Sequence, residues 1–331
     1  MRLLKTGLLR PFSSLEDCAR NLCGIQSQIP QFAEVALFNR CDPKPSMEDF
    51  AKCYEQNRII CIWSHRKTLH MHTIDDWYKI CNAYSNVKIS YETAIIEREI
   101  IKNNLRTKEQ LKQIVKNELE SIDIAIFARM IRASTIKGLM FGKPEKPSIR
   151  QYVSYRKISN NQWKKSDVAR IAALSDLIMR YFRYYGPATI KDFCHWSGLT
   201  QKSIGEAWPN ERLMSLNFSG RNYFLAHDDP DLHSSFSSDY FEDKVFLLGK
   251  FDPLFVSYHH KDWIINDEQK KLIWISAGHV ESVILSGTEV IGTWRHSLKG
   301  RQMTVQLFPF RGISKNELQQ IQKKAEELAI F

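Results

Sequence analysis

Two glutamines stand two residues apart in Gly24-Ile25-Gln26-Ser27-Gln28-Ile29-Pro30-Gln31, between two segments of helical periodicity. An amide side chain has no useful pKa, so neither Gln26 nor Gln28 can serve as a general base in the ordinary sense. It does offer an acceptor oxygen and two donor hydrogens, enough to place a water or to set a carbonyl dipole against developing positive charge. On a regular helix residues i and i+2 diverge by roughly 200°, whereas in extended chain they face the same side. Joint work on one water therefore requires a non-helical junction, for which Gly24 before the pair and Pro30 after it are suited. The alternative is that both amides only tie the flanking helices together by hydrogen bonds.

Other polar residues are less specific. Thr68, His70 and His72 alternate on one face of a predicted strand, where His70 either supports a site or is a buried, hydrogen-bonded histidine. No third carboxylate or thiol stands at ligand spacing from the histidines, and His259-His260 should point neighbouring side chains apart. Neither a metal site nor a cofactor is expected. The seven cysteines include no Cys-x-x-Cys pair and read as reduced cytosolic thiols.

The elements that must position these residues recur along the chain. Ser13 and Glu16 form a possible capping box for a first helix containing Leu15, Cys18, Ala19 and Leu22, and Gly24 suits its C-terminal cap. Pro30 opens a second helix, with Phe32, Val35, Ala36 and Asn39 on one face. A third runs roughly over 46–56, and strands over 59–63 and 68–72 flank a basic tip, Ser64-His65-Arg66-Lys67. Helices followed by a hairpin with a basic tip are the pattern of a winged helix. It returns with the capped helix at Thr107 and Gln110, a helix over 122–137 and a tip with Lys143 and Lys146. It returns again in GPATIKDFCHWSGLTQKSIGEAW, a helix-turn-helix with Gly198 in the turn and Thr200 as cap, followed by strands paired across Ser219-Gly220. From about Phe241 short β-segments dominate, and a last helix opens at Ser314 with Glu317 as its box partner.

The expected fold class is thus α+β: three tandem winged-helix units over 1–90, 91–160 and 161–240, then a β-rich domain over 241–331 that ends in a helix. A chain of 331 residues is long enough for several such units, and its 43% hydrophobic and 25% charged fractions are ordinary for a folded protein. The net charge of +10 and pI of about 9.2 favour a polyanionic partner, nucleic acid foremost. Arg66, Lys67, Lys143, Lys146, Lys202 and Arg221 fall at wing tips or at a recognition-helix start, where phosphate contacts belong. Residues 1–10 lack the apolar run of a signal peptide, and nowhere do ~18 consecutive apolar residues occur, so a cytoplasmic protein without membrane contact is expected.

Five blocks in order, GIQSQIPQFAEVAL, IWSHRKTLHMH, YYGPATIKDFCHWSGL, GKFDPLFVSYHHKDW and VIGTWRHSLKGRQMTVQLFPF, together resemble the AlkZ/YcaQ-like winged-helix DNA glycosylases of alkylation and interstrand-crosslink repair. The resemblance implies a concave basic surface for double-stranded DNA and a Gln-x-Gln or Gln-x-Asp catalytic motif, matched here by Gln26 and Gln28. Ser27 stands where the family usually has a small or hydrophobic residue. The implied reaction is hydrolysis of the N-glycosidic bond of N7-alkylated or bulky purines by a monomeric, monofunctional enzyme. By the same resemblance, Thr68 and His70 approach the DNA, Arg295, Lys299 and Arg301 flank a groove-entering hairpin, and Asp252 supports the site or starts a turn. A non-catalytic tandem winged-helix DNA-binding protein is the competing expectation.

Overall fold

The computed structural model describes residues 1–85, 93–119, 123–145, 151–154, 167–232, 241, 244–275, 278–300 and 302–330. A short helix, α1 (Arg2–Lys5), precedes α2 (Leu15–Asn21). Helix α2 is capped by Ser14, whose side chain accepts from the Asp17 N–H; the cap lies one residue beyond the expected Ser13, which hydrogen-bonds the Asp17 carboxylate instead. Cys23 and Gly24 then take left-handed backbone, φ 55° and 98°, and the Gly24 N–H reaches back to the Ala19 carbonyl, ending the helix. The chain extends as β1 (Ile25–Gln26) before Pro30 opens α3 (Pro30–Arg40). A Ser46–Asp49 capping box starts α4 (Met47–Glu55), and a hairpin of β2 (Ile59–Trp63) and β3 (Leu69–Thr73) leads to α5 (Trp77–Ala83).

The second unit comprises α6 (Ala94–Asn103), β4 (Leu105–Thr107), α7 (Lys108–Glu118), α8 (Ile124–Ile136), β5 (Met140–Gly142) and β6 (Gln151–Ser154). The expected Thr107–Gln110 box caps α7. In the third, α9 (Asp167–Tyr185) precedes a helix-turn-helix of α10 (Ile190–Ser197) and α11 (Gln201–Ile204), with Gly198 left-handed in the turn. Its wing is β7 (Leu213–Phe218) and β8 (Arg221–Ala226), turned by Ser219 and Gly220 at φ 51° and 73°. The terminal region holds β9 (Val245–Leu248), α12 (Pro253–Val256), α13 (Asp267–Ile273), β10 (Val283–Ser286), β11 (Glu289–Lys299), β12 (Gln302–Pro309) and α14 (Lys315–Ile330).

The fold is α+β, winged-helix units followed by a β-rich region. Yet the first two wings are not separate sheets. Cys61 of β2 pairs with Gly142 of β5, giving one six-stranded sheet in the order β1-β3-β2-β5-β6-β4, with the glutamine strand at one edge. The terminal strands form a four-stranded antiparallel sheet, β12-β11-β10-β9. One cluster of buried side chains runs from Leu15 through Trp196 to Tyr258, so the three helical units share a core. Helix α3 is buried on nearly every side, because it packs on α2 and on β9 together; Asn39 donates to the Leu247 carbonyl at 2.9 Å. The expected unit boundaries at 90, 160 and 240 all lie outside the described residues. Among the described residues no helix is long and apolar enough to cross a membrane.

Candidate active site

Gln26 ends the extended strand β1, and Gln28 stands in the bend between that strand and α3. Gln26 pairs with His70 across β1 and β3, and the Ser27 N–H donates to the Leu69 carbonyl at 2.8 Å, carrying the pairing one residue further. Ser27 therefore turns inward, fully buried, with its hydroxyl 3.8 Å from Cys61 Sγ. Gln26, 8% exposed, and Gln28, exposed, both line an open cleft of about 620 Å³. A serine at the middle position is thus accommodated: its small hydroxyl faces a thiol in the sheet interior.

The cleft's remaining walls come from sequence-distant elements. Arg66 and Thr68 enter from the β2–β3 connection, His195 from α10, and Phe251 and Val256 from the turn around α12. Trp274, Gly278, His279 and Val280 lie beyond α13. None of these lining residues is a carboxylate, a thiol or a primary amine. Non-glycine residues in left-handed backbone gather here: Arg66 (φ 52°), Lys67 (φ 57°) and Phe251 (φ 59°).

Arg66 departs from expectation. Instead of standing free at a wing tip, its guanidinium donates to Gln26 Oε1 at 2.6 Å, to the Trp196 carbonyl at 2.7 Å and, more weakly, to the Val256 carbonyl at 3.4 Å. His65 before it is wholly buried and stacked on Trp196, ring centroids 4.1 Å apart. The tip docks against the third unit because left-handed Gly198 presents no side chain; a Cβ there would lie 2.9 Å from the Arg66 Cα.

His70 is buried, and its Nδ1 lies 3.1 Å from the Thr68 carbonyl, so Nδ1 carries the proton and donates. Burial, with His65, Arg66 and His72 nearby, holds its pKa well below the ordinary imidazole value. His72 is lowered by burial to about 3, and Ser64 Oγ lies 2.9 Å from its Nε2. At the mouth His195 keeps an exposed edge, yet desolvation of the ring, reinforced by Lys261, lowers it to about 4. All three are neutral at pH 7. Gln26 and Gln28 bring acceptors and donors that do not titrate, and the imidazoles lining the cleft beside them are those of His195 and His279.

The sequence model of the DNA glycosylase AlkZ-like family matches residues 19–90 and 139–331, and so spans the glutamine strand, the third unit and the terminal sheet. The chain belongs to the AlkZ-like DNA glycosylase family. It is 21% identical over 323 residues to an interstrand DNA cross-link repair glycosylase of Streptomyces sahachiroi, an alignment covering 89% of this chain and 85% of that protein. The solved structure of Streptomyces sahachiroi DNA glycosylase AlkZ superposes with a TM-score of 0.78 at 18% identity, covering 99% of this chain and 94% of the other, which establishes the same fold.

None of the remaining described site residues expected of this AlkZ-like chain lines that cleft. Lys67 is exposed beside Arg66, and Lys202 is exposed on α11. Lys143 is half-buried, its N–H bonded to the Gln151 carbonyl. Arg221 does not project freely from its wing: it is paired with Asp262 at 2.8 Å. Arg295, 63% exposed, lies 3.7 Å from Glu281 and over the Phe308 ring, while Lys299 is exposed at the β11–β12 tip. Lys146 and Arg301 lie outside the described residues. Asp252 neither lines the cleft nor merely starts a turn: it caps α12 and forms a bidentate, fully buried ion pair with Arg40, 2.6 and 2.8 Å. The His259 and His260 rings do not diverge; their centroids are 4.7 Å apart. Among the described residues no group of three or more metal-ligating side chains comes together. His195, Phe251, Trp274 and His279 escaped sequence reasoning. The first two lie inside the matching blocks, whereas Trp274 and His279 carried no signal.

Proposed function

We propose that the chain hydrolyses the N-glycosidic bond of N7-alkylated or bulky-adduct purines in double-stranded DNA, with Gln26 and Gln28 placing the water. The observation that carries this reading is the cleft itself: two amides line it, with no carboxylate, thiol or amine among its described lining residues. Such a site is suited to a bond that breaks without acid or base. An N7-alkylated purine is already cationic, so when the bond from C1′ breaks its electron pair returns to the ring and the base leaves neutral. The water oxygen bonds to C1′ and its surplus proton passes to solvent. Amide dipoles beneath the sugar favour the oxocarbenium-like transition state. Absence of an amine among the described lining residues supports a monofunctional enzyme, since strand cleavage through a Schiff base needs one. Phe251 and Trp274 give an apolar wall for a bulky base, and exposed Lys67, Lys202, Lys299 and Arg295 supply phosphate contacts.

The test is release of base, read as abasic sites, from duplexes carrying N7-methylguanine, a bulky N7 adduct or an N7 crosslink. Gln28→Ala should slow single-turnover release on the order of 10²-fold while DNA affinity is kept. Salt-sensitive DNA binding with no excess abasic sites on any adduct would reject catalysis and leave the competing DNA-binding reading.

A further inference from the structure

Gln26 and Gln28 are chemically identical, but only one of them is locked. A guanidinium carries five N–H donors and no acceptor, so the Gln26 atom 2.6 Å from Arg66 Nη2 must be the carbonyl oxygen. Flipping the amide would set two donors face to face. Arg66 cannot follow such a flip, because its other nitrogen is held by the Trp196 and Val256 carbonyls and its backbone is pinned against Gly198. Three parts of the fold thus fix one side-chain orientation.

We propose that Arg66 is a positioning residue that makes Gln26 the donor of the pair and leaves Gln28 as its acceptor; this rests on the function proposed above. A water between the amides then accepts from Gln26 Nε2 with one lone pair and gives one O–H to Gln28 Oε1. The second lone pair is free to face C1′ from below the sugar. Two acceptors in place of this donor–acceptor pair would hold both hydrogens and leave the oxygen unrestrained. Gln28 is exposed and Gln26 is largely buried, which matches an adjustable acceptor beside a fixed donor.

The partners of Arg66 supply the discriminating variant. Its hydrogen bonds go to carbonyl oxygens alone, so Gln26→Glu provides a carboxylate that the guanidinium will seize. That variant should melt at or above the wild-type temperature and still lose the donor. Gln28→Glu keeps an acceptor. In single-turnover base release on N7-methylguanine duplex, Gln28→Glu should exceed Gln26→Glu by about tenfold or more. Arg66→Met should lower the rate at saturating enzyme about tenfold with DNA affinity within about threefold, and Arg66→Met combined with Gln26→Leu should be no slower than Gln26→Leu alone. Equal activity of the two glutamate variants overturns the assignment. So does an Arg66→Met protein that binds DNA weakly yet turns over normally once saturated, the signature of a phosphate contact. The glutamate comparison keeps Arg66 in place and stays decisive if Arg66→Met fails to fold. A wild-type protein without base release removes the proposed function itself, whereas active wild type with equal glutamate variants removes only the donor–acceptor assignment.

Discussion

A primary amide contributes direction rather than protons, so at the residue scale the site depends on which end of each glutamine faces the cleft. Its neighbouring histidines are equally constrained. His65, His70 and His72 are buried and held neutral, the first two well below the ordinary value and His72 at about 3. In the unfolded chain each would take a proton near pH 6.5, so between about pH 6.5 and 3 the unfolded state binds more protons than the folded one. Stability is therefore fully present above the unfolded pKa and is lost as pH falls. Denaturant melts between pH 7 and 5 should show a decline approaching about 1.4 kcal/mol per pH unit for each buried histidine, and His70→Gln should flatten that slope. The amides do not titrate, so no matching loss of intrinsic catalysis is expected near neutrality; a steep rate dependence around pH 6 to 7 at constant DNA occupancy would contradict the amide mechanism.

At the scale of elements, the decisive feature is the break between α2 and α3. Gly24 is required twice over: φ is +98°, and a Cβ would lie 2.3 Å from the His72 ring. Gly24→Ala should cost roughly 3 kcal/mol or more and shift β1 away from β3, measured as a lower melting temperature together with slower base release. Much of this architecture was legible in the sequence. The caps at Thr107 and Thr200, the Pro30 start and the Ser219-Gly220 turn act over three or four residues, and all are observed. The first cap was misplaced by one residue, because Ser13 and Ser14 offer equivalent hydroxyls and only packing chooses between them. Arg66 was legible as a basic tip residue but not as an inward clamp; its direction depends on carbonyls 130 and 190 residues away.

At the scale of the whole molecule, the glutamine-bearing unit is fastened to the terminal region by the Arg40–Asp252 pair. Both groups are wholly buried, and Asp252 raises the Arg40 pKa although desolvation alone would lower it. Asp252→Ala leaves an uncompensated guanidinium in the interior and should cost about 3–5 kcal/mol in denaturant unfolding, with the cleft's Phe251 wall displaced. The net charge of +10 predicts DNA affinity that falls steeply with salt. Lys299→Ala should lower the log–log salt slope by about 0.9 if it meets one phosphate. An unchanged slope would place the β11–β12 tip off the DNA.

The sequence by itself determined what short-range forces can decide: the repeated helices and wings, the non-helical glutamine junction between Gly24 and Pro30, and the excess of positive charge. Tertiary structure alone decided that two wings merge into one sheet, that the cleft is completed by His195, Phe251 and Trp274, and that Arg66 holds one glutamine and not the other. Helix caps and turns are satisfied within a few residues of themselves. A guanidinium's orientation is set by whichever acceptors the folded chain brings within about 3 Å, and these come from elements that no local spacing connects.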